Sequence, residues 1–231
     1  MRKKEEVRSM FDRIAWRYDF LNHFLSFGTD LLWRRKAIKE IGRRIQPEKI
    51  LDLATGTCDL AIASLRLHPE IVMALDISQR MLEEGRKKVY RKKLNHKIKL
   101  RIGDSEDLPF SEKSFDTTMV SFGVRNFENP EKGLSEMYRV LKDGGVIMVL
   151  EFSKPSKFPF KTIYGFYFRR ILPFFGRLFS KDIGAYNYLP DSVSKFPEGQ
   201  EFLDLMKGIG FRELKQQRLT GGVATIYSAC R

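Results

Sequence analysis

Apolar and polar positions along this chain alternate between two periods. Short, nearly unbroken apolar runs at 49–53, 71–76, 97–103, 115–121 and 145–151 have the length of strands buried on both faces. Helical patterns fall between them, at about 59–67, 78–91 and 130–141, and a further helical stretch precedes the first run. The last helix meets Lys142-Asp143-Gly144-Gly145, a cationic, glycine-rich sequence that reads as a helix C-terminus. Strand–helix alternation implies right-handed crossovers and a parallel sheet. Beyond residue 210 the pattern changes. Phe211–Leu219 and Gly222–Cys230 read as two strands joined by Thr220-Gly221-Gly222, an antiparallel pair. The expected fold is α/β: a mostly parallel seven-stranded sheet, closed by an antiparallel C-terminal hairpin, with helices on both faces.

The apolar runs matter most where they stop. Ile50-Leu51-Asp52-Leu53 leads into Ala54-Thr55-Gly56-Thr57-Cys58-Asp59, an acidic, small-residue turn before a helix. Such a turn puts backbone N–H groups and a carboxylate at the carboxyl edge of a sheet, where open α/β folds bind nucleotides. A second run ends in Asp76, spaced to reach a ribose diol, and Gly103-Asp104-Ser105-Glu106 ends a third. A dinucleotide fits poorly. Its pyrophosphate needs several glycines for close approach, and here Gly56 stands alone among Thr55, Thr57 and Cys58. S-adenosylmethionine has no phosphate, carries a sulfonium and an α-amino group, and favours nearby carboxylates such as Asp52. With the hairpin tail, this is the outline of a Rossmann-like class I methyltransferase, with S-adenosylhomocysteine as product.

Composition narrows the setting. The 231 residues suit one domain, with a helical cap over 1–45 and an aromatic, basic insertion over 152–198. No apolar run approaches the ~18 residues of a membrane span. The charged start lacks the apolar centre of a signal peptide. Cys58 and Cys230 are too few for a disulfide framework, and His23, His68 and His96 are scattered, so no metal is expected and the cytoplasm is the natural setting. The net charge of +13 admits nucleic acid, an anionic membrane or an acidic substrate. One cationic concentration, Arg86–Lys93, reads as a solvated helix end, with RNA or lipid headgroups as alternatives. Phe152–Ser180 is stranger. It holds eight of the nineteen phenylalanines and six Lys or Arg with no acid, as suits a helix lying on an anionic membrane or an aromatic cap helix packed on the sheet.

Several longer blocks carry a closer resemblance. Arg8-Ser9-Met10-Phe11-Asp12-Arg13 through Tyr18-Asp19, Ser121-Phe122-Gly123-Val124-Arg125-Asn126, Leu150-Glu151-Phe152-Ser153-Lys154-Pro155 and Leu219-Thr220-Gly221-Gly222 resemble the ubiquinone/menaquinone biosynthesis C-methyltransferases over essentially the whole chain. Cys58 departs from that pattern, where glycine is commoner. The resemblance implies carbon methylation of a prenylated hydroquinone, demethylmenaquinol or a ubiquinone precursor. It implies that Thr57 contacts the methionine part of the donor, Asp76 the ribose hydroxyls, Asp104 the adenine amino group and the Ser105 backbone a ring nitrogen, while Ser121 lines the pocket. Arg125, with Asn126 beside it, is the candidate to stabilise a phenolate; its structural alternative is an ion pair with Glu128 or Glu131. Tyr18 and Asp19 are candidates to close the site, and Tyr186 and Tyr188 to line the ring pocket. A methyltransferase acting on another small molecule or on RNA remains the alternative, although Ser121-Phe122-Gly123 stands where amino-methylating enzymes carry an Asn/Asp-Pro-Pro-aromatic block. No nucleic-acid partner is expected. The protein is expected in the cytoplasm, peripheral at the inner membrane face, and a homodimer stays open.

Overall fold

The computed structural model describes residues 2–167, 170 and 183–231. Three helices lead the chain: α1 (Arg2–Ile14), α2 (Tyr18–Leu25) and α3 (Thr29–Gly42). Then follow β1 (Lys49–Leu53), α4 (Asp59–Ser64), β2 (Ile71–Asp76), α5 (Gln79–Arg91), β3 (Ile98–Ile102), β4 (Phe115–Ser121), α6 (Pro130–Val140) and β5 (Leu141–Phe152). Helices α7 (Phe160–Phe166), α8 (Ile183–Lys195) and α9 (Gln200–Ile209) precede the closing strands β6 (Arg212–Leu219) and β7 (Ala224–Cys230).

The seven strands form one sheet in the order β3-β2-β1-β4-β5-β7-β6. The first five are parallel, and β7 runs antiparallel between β5 and β6. Strand alternation divides the core in two. Ile50 packs with Ala37, Ile41 and Ala61 on one face, while Leu51 and Leu53 pack with Leu134, Met137 and Phe202 on the other. Ser78 caps α5 by accepting from the Met81 N–H at 3.1 Å, and Asn129 caps α6 before Pro130.

One expectation fails at Lys142–Gly145. The segment does not end α6 with a glycine cap; the helix stops at Val140, and Leu141 already pairs with Phe115 in the sheet. The four residues bulge out before Val146 resumes pairing with Thr117, with Gly144 at φ +75°. Fully buried Leu141 anchors the strand, and Lys142 Nζ ties the bulge to Asp116 at 2.6 Å. Of the segment 152–180, residues 168, 169 and 171–180 lie outside the described residues. Among the described residues, no helix is long and apolar enough to cross a membrane.

Candidate active site

The turn after β1 is built on left-handed backbone: Ala54, Gly56 and Cys58 have φ of +48°, +56° and +69°. The excursion aims the Gly56 N–H at Asp76, whose Oδ2 accepts it at 2.8 Å, while Oδ1 accepts the Ser78 N–H at 2.8 Å. Burial raises the Asp76 carboxyl to about 6, against the pull of these two backbone donors. Asp52, 1% exposed, lies beneath the turn. Its Oδ2 accepts the Thr55 hydroxyl at 2.5 Å, its Oδ1 is buried without a partner, and burial lifts its carboxyl to about 7.

Two cavities adjoin at the carboxyl ends of the strands. The first is lined by Tyr18, Gly56, Asp76, Asp104, Ser105, Ser121 and Asn126, so seven of the residues singled out from sequence meet there. Asp52 and Thr57 line neither cavity. The Thr57 hydroxyl donates instead to Asp19 and accepts from Lys88 Nζ at 3.2 Å. Helix α1 covers the opening. Lys4 Nζ sits 2.6 Å from Asp104 Oδ2 and 3.4 Å from Glu106 Oε2, and Asp12 Oδ1 accepts the Ser78 hydroxyl at 2.6 Å. The carboxylates suit hydroxyl, amino and cationic groups. Lys4, the only cation among the described lining residues, is already paired, so nothing there suits a phosphate.

Phe11, Tyr18 and Phe122 form the wall shared with the second cavity. Phe122, at φ +57°, is held in a conformation costly for a bulky side chain, with its N–H on Leu150 O at 2.7 Å. Its ring lies 4.4 Å from that of Phe152 and 6.1 Å from that of Trp33. A guanidinium flanks each phenylalanine: Arg34 over Phe122 at 5.7 Å, and Arg125 over Phe152 at 5.2 Å. Arg125 pairs with neither Glu128 nor Glu131. Its Nη1 donates to fully buried Glu151 Oε1 at 2.7 Å, a partner that sequence spacing could not reveal because β5 supplies it. Asn126 Oδ1 accepts the Tyr188 hydroxyl at 3.0 Å, which links the two cavities. Tyr186 lies outside the residues whose side chains are described.

Sequence reading also missed a polar cluster on α2 and α3. Asp30, 3% exposed, accepts from Ser26 Oγ at 2.7 Å, lies 2.8 Å from His23 Nδ1, and pairs with Arg34. His23 Nε2 lies 3.6 Å from Asp59 Oδ2, and Lys88 Nζ bridges Asp59 and Asp19 at 2.6 and 2.5 Å. His23, Asp30 and Asp59 stand close enough to hold a cation, but Arg34 and Lys88 already occupy both carboxylates. The available signal was the Asp30–Arg34 spacing of four on one helix.

Comparison with known proteins gives the family and the fold. The profile of the ubiE/COQ5 methyltransferase family matches residues 1–231. The chain is 45% identical to a demethylmenaquinone methyltransferase of Bacteroides fragilis over 231 residues, all of this chain and 94% of the relative. It is 47% identical to a ubiquinone/menaquinone biosynthesis C-methyltransferase of Geobacter sulfurreducens over 228 residues, 98% of this chain and 88% of the relative. Among solved structures, a SAM-dependent methyltransferase of Thermotoga maritima superposes with a TM-score of 0.67 at 21% identity, over 96% of this chain and 98% of that one, a likeness of fold.

Proposed function

The chain belongs to the ubiE/COQ5 methyltransferase family, and from that premise we propose that it methylates a ring carbon of a prenylated hydroquinone, converting demethylmenaquinol to menaquinol. One observation carries the reading: a carboxylate-lined cavity and an aromatic cavity meet across a shared wall of Phe11, Tyr18 and Phe122. The first fits S-adenosylmethionine, which when bound supplies an electrophilic methyl group. Each Asp76 oxygen accepts one backbone N–H and keeps a lone pair for a ribose hydroxyl. Asp104 and Ser105 would read the adenine edge, Gly56 and Ser121 would approach the donor closely, and Asp52 and Thr57 would support the turn from beneath.

Carbon methylation needs electron density pushed from a ring oxygen into the ring. Trp33, Phe122 and Phe152 offer the ring an apolar seat. Arg125 supplies charge at that seat; its Nε is buried and has no partner, so the Glu151 pair leaves a donor for a developing oxyanion. Asn126 and Tyr188 would fix the polar edge. A prenyl tail is lipid-soluble, and the proposal extends to a protein of the cytoplasm that touches the inner membrane face. In support, α7 contains no buried residue, Phe158 is 84% exposed, and Lys157 and Lys161 lie alongside.

The test is anaerobic methyl transfer to reduced naphthoquinone and benzoquinone analogues. The wild type is expected to turn over the naphthoquinol. Removing Arg125 alone would strand a buried glutamate at a cost of about 3–5 kcal/mol, so Arg125→Met is paired with Glu151→Gln. That double variant is expected to keep donor affinity within a few-fold and to lose most turnover. Donor binding without methyl transfer to either quinol would sink the reading.

A further inference from the structure

Transfer of a methyl group to a ring carbon releases one proton, and the residues assigned so far leave it without an acceptor. Arginine holds its proton throughout the accessible pH range, an amide does not titrate, and a phenol such as Tyr188 already carries one. Among the described residues lining the aromatic cavity, Asp30 is the only carboxylate. We propose that Asp30 takes the proton of the acceptor's ring hydroxyl and that His23 relays it to solvent, an assignment that rests on the quinol reading above.

The surroundings of Asp30 are arranged for that task. Burial pushes its carboxyl up, but the Ser26 hydroxyl, the Arg34 guanidinium and His23 outweigh burial and hold it below the ordinary carboxylate range. It therefore stands ionised near neutrality, with Oδ1 on Ser26 and Oδ2 facing both Arg34 and His23 Nδ1. A carboxylate is a weak base for a phenol, so the transfer must be drawn forward by stabilising the charge left behind. Arg34 does this locally. Its Nε is buried without a partner, and the guanidinium remains beside the cavity as the negative charge passes from Asp30 to the ring oxygen. The exit is short. The His23 side chain is 33% exposed; in the neutral Nε2–H tautomer its Nδ1 accepts the proton from Asp30, and the Nε2 proton leaves on the side facing Asp59. The charged groups around the path are Arg34 on α3, Asp19 on α2, Asp59 on α4 and Lys88 on α5.

The step balances. The O–H bond breaks toward Asp30, and its electron pair enters the ring. The ring carbon bonds to the methyl carbon, whose bond to sulfur breaks with the pair remaining on sulfur. Asp30, emptied through His23, then takes the ring C–H proton, which restores aromaticity, and the oxygen regains a proton from solvent, so the net release is one per turnover.

Asp30→Asn and His23→Gln test this, the second because it leaves the Asp30–Arg34 pair intact. Asp30→Asn is expected to lower kcat by about 10²–10⁴-fold, the range of general-base catalysis. Donor affinity by calorimetry, and quenching of tryptophan fluorescence by an unreactive naphthoquinone in a Trp16→Phe background, should stay within a few-fold. The variant's turnover should climb about tenfold per pH unit where the wild type levels off, since free phenolate then replaces the base. A halogenated quinol with a more acidic hydroxyl should recover much of the loss. His23→Gln should lose about tenfold and shift the pH profile. An Asp30→Asn loss below tenfold with a wild-type profile, or an equal loss of donor binding, overturns the proposal alone. An unaltered profile in His23→Gln overturns the relay, and a wild type inactive on every quinol overturns the substrate reading beneath both.

Discussion

Asp76 shows how one buried carboxylate sets opposing demands on stability and binding. Its folded value of about 6 stands above the unfolded 3.8. Its contribution to folding is therefore complete below about pH 4 and is lost as pH rises through 6. Binding runs the other way, because a diol gains most from an ionised acceptor. Donor affinity measured by calorimetry is expected to fall as pH drops below 6 and to level off above 7, and Asp76→Asn should flatten that slope. A slope that survives the substitution would move the dependence to another group. Asp76 was legible because an acid ending an apolar run declares its position. Glu151 was not, since its role depends on β4 and β5 lying side by side. Cys58 lies between these cases. Its departure from glycine was visible in the sequence, but its room was not: a Cβ on Gly85 of α5 would sit 2.7 Å from the Cys58 sulfur, so Gly85 leaves the space that the sulfur fills.

At the scale of elements, α1 is a clasp whose closure competes with the donor. Lys4 pairs with the Asp104 carboxylate proposed for adenine, so the ion pair must break on binding. Lys4→Met is expected to tighten donor binding by up to about fivefold, the measure of a partly exposed ion pair. The gain should shrink as salt screens the wild-type pair. Weaker binding in the variant would mean that Lys4 closes over the donor instead. The strands and the helices between them were readable from period alone, since burial on one face or two leaves a different spacing of apolar residues. The β5 bulge was not. Lys142–Gly145 carries the chemistry of a helix end, and only Phe115 opposite Leu141 shows that the sheet has already begun.

At the scale of the molecule, the charge of +13 and the exposed aromatics of α7 belong to one question, which vesicles answer. The protein is expected to sediment with anionic vesicles more than with neutral ones. Lys157→Glu with Lys161→Glu should weaken that contact, each cation near such a surface being worth about 1 kcal/mol. Equal binding to both lipids, or to neither, would remove the membrane from the account. The parallel body and antiparallel tail were legible as wholes because each connection is short and each pattern local. The position of β7 was not, since nothing in a hairpin says which strand faces inward. That position bears on birth as well as architecture. β6 leaves the ribosome before β7, yet it can join the sheet only through β7. Until β7 emerges, the nascent chain carries a five-stranded body whose β5 edge is bare, a template for unwanted pairing. A chaperone would find its work there, in the interval before β7 slides into the middle and closes the sheet behind it.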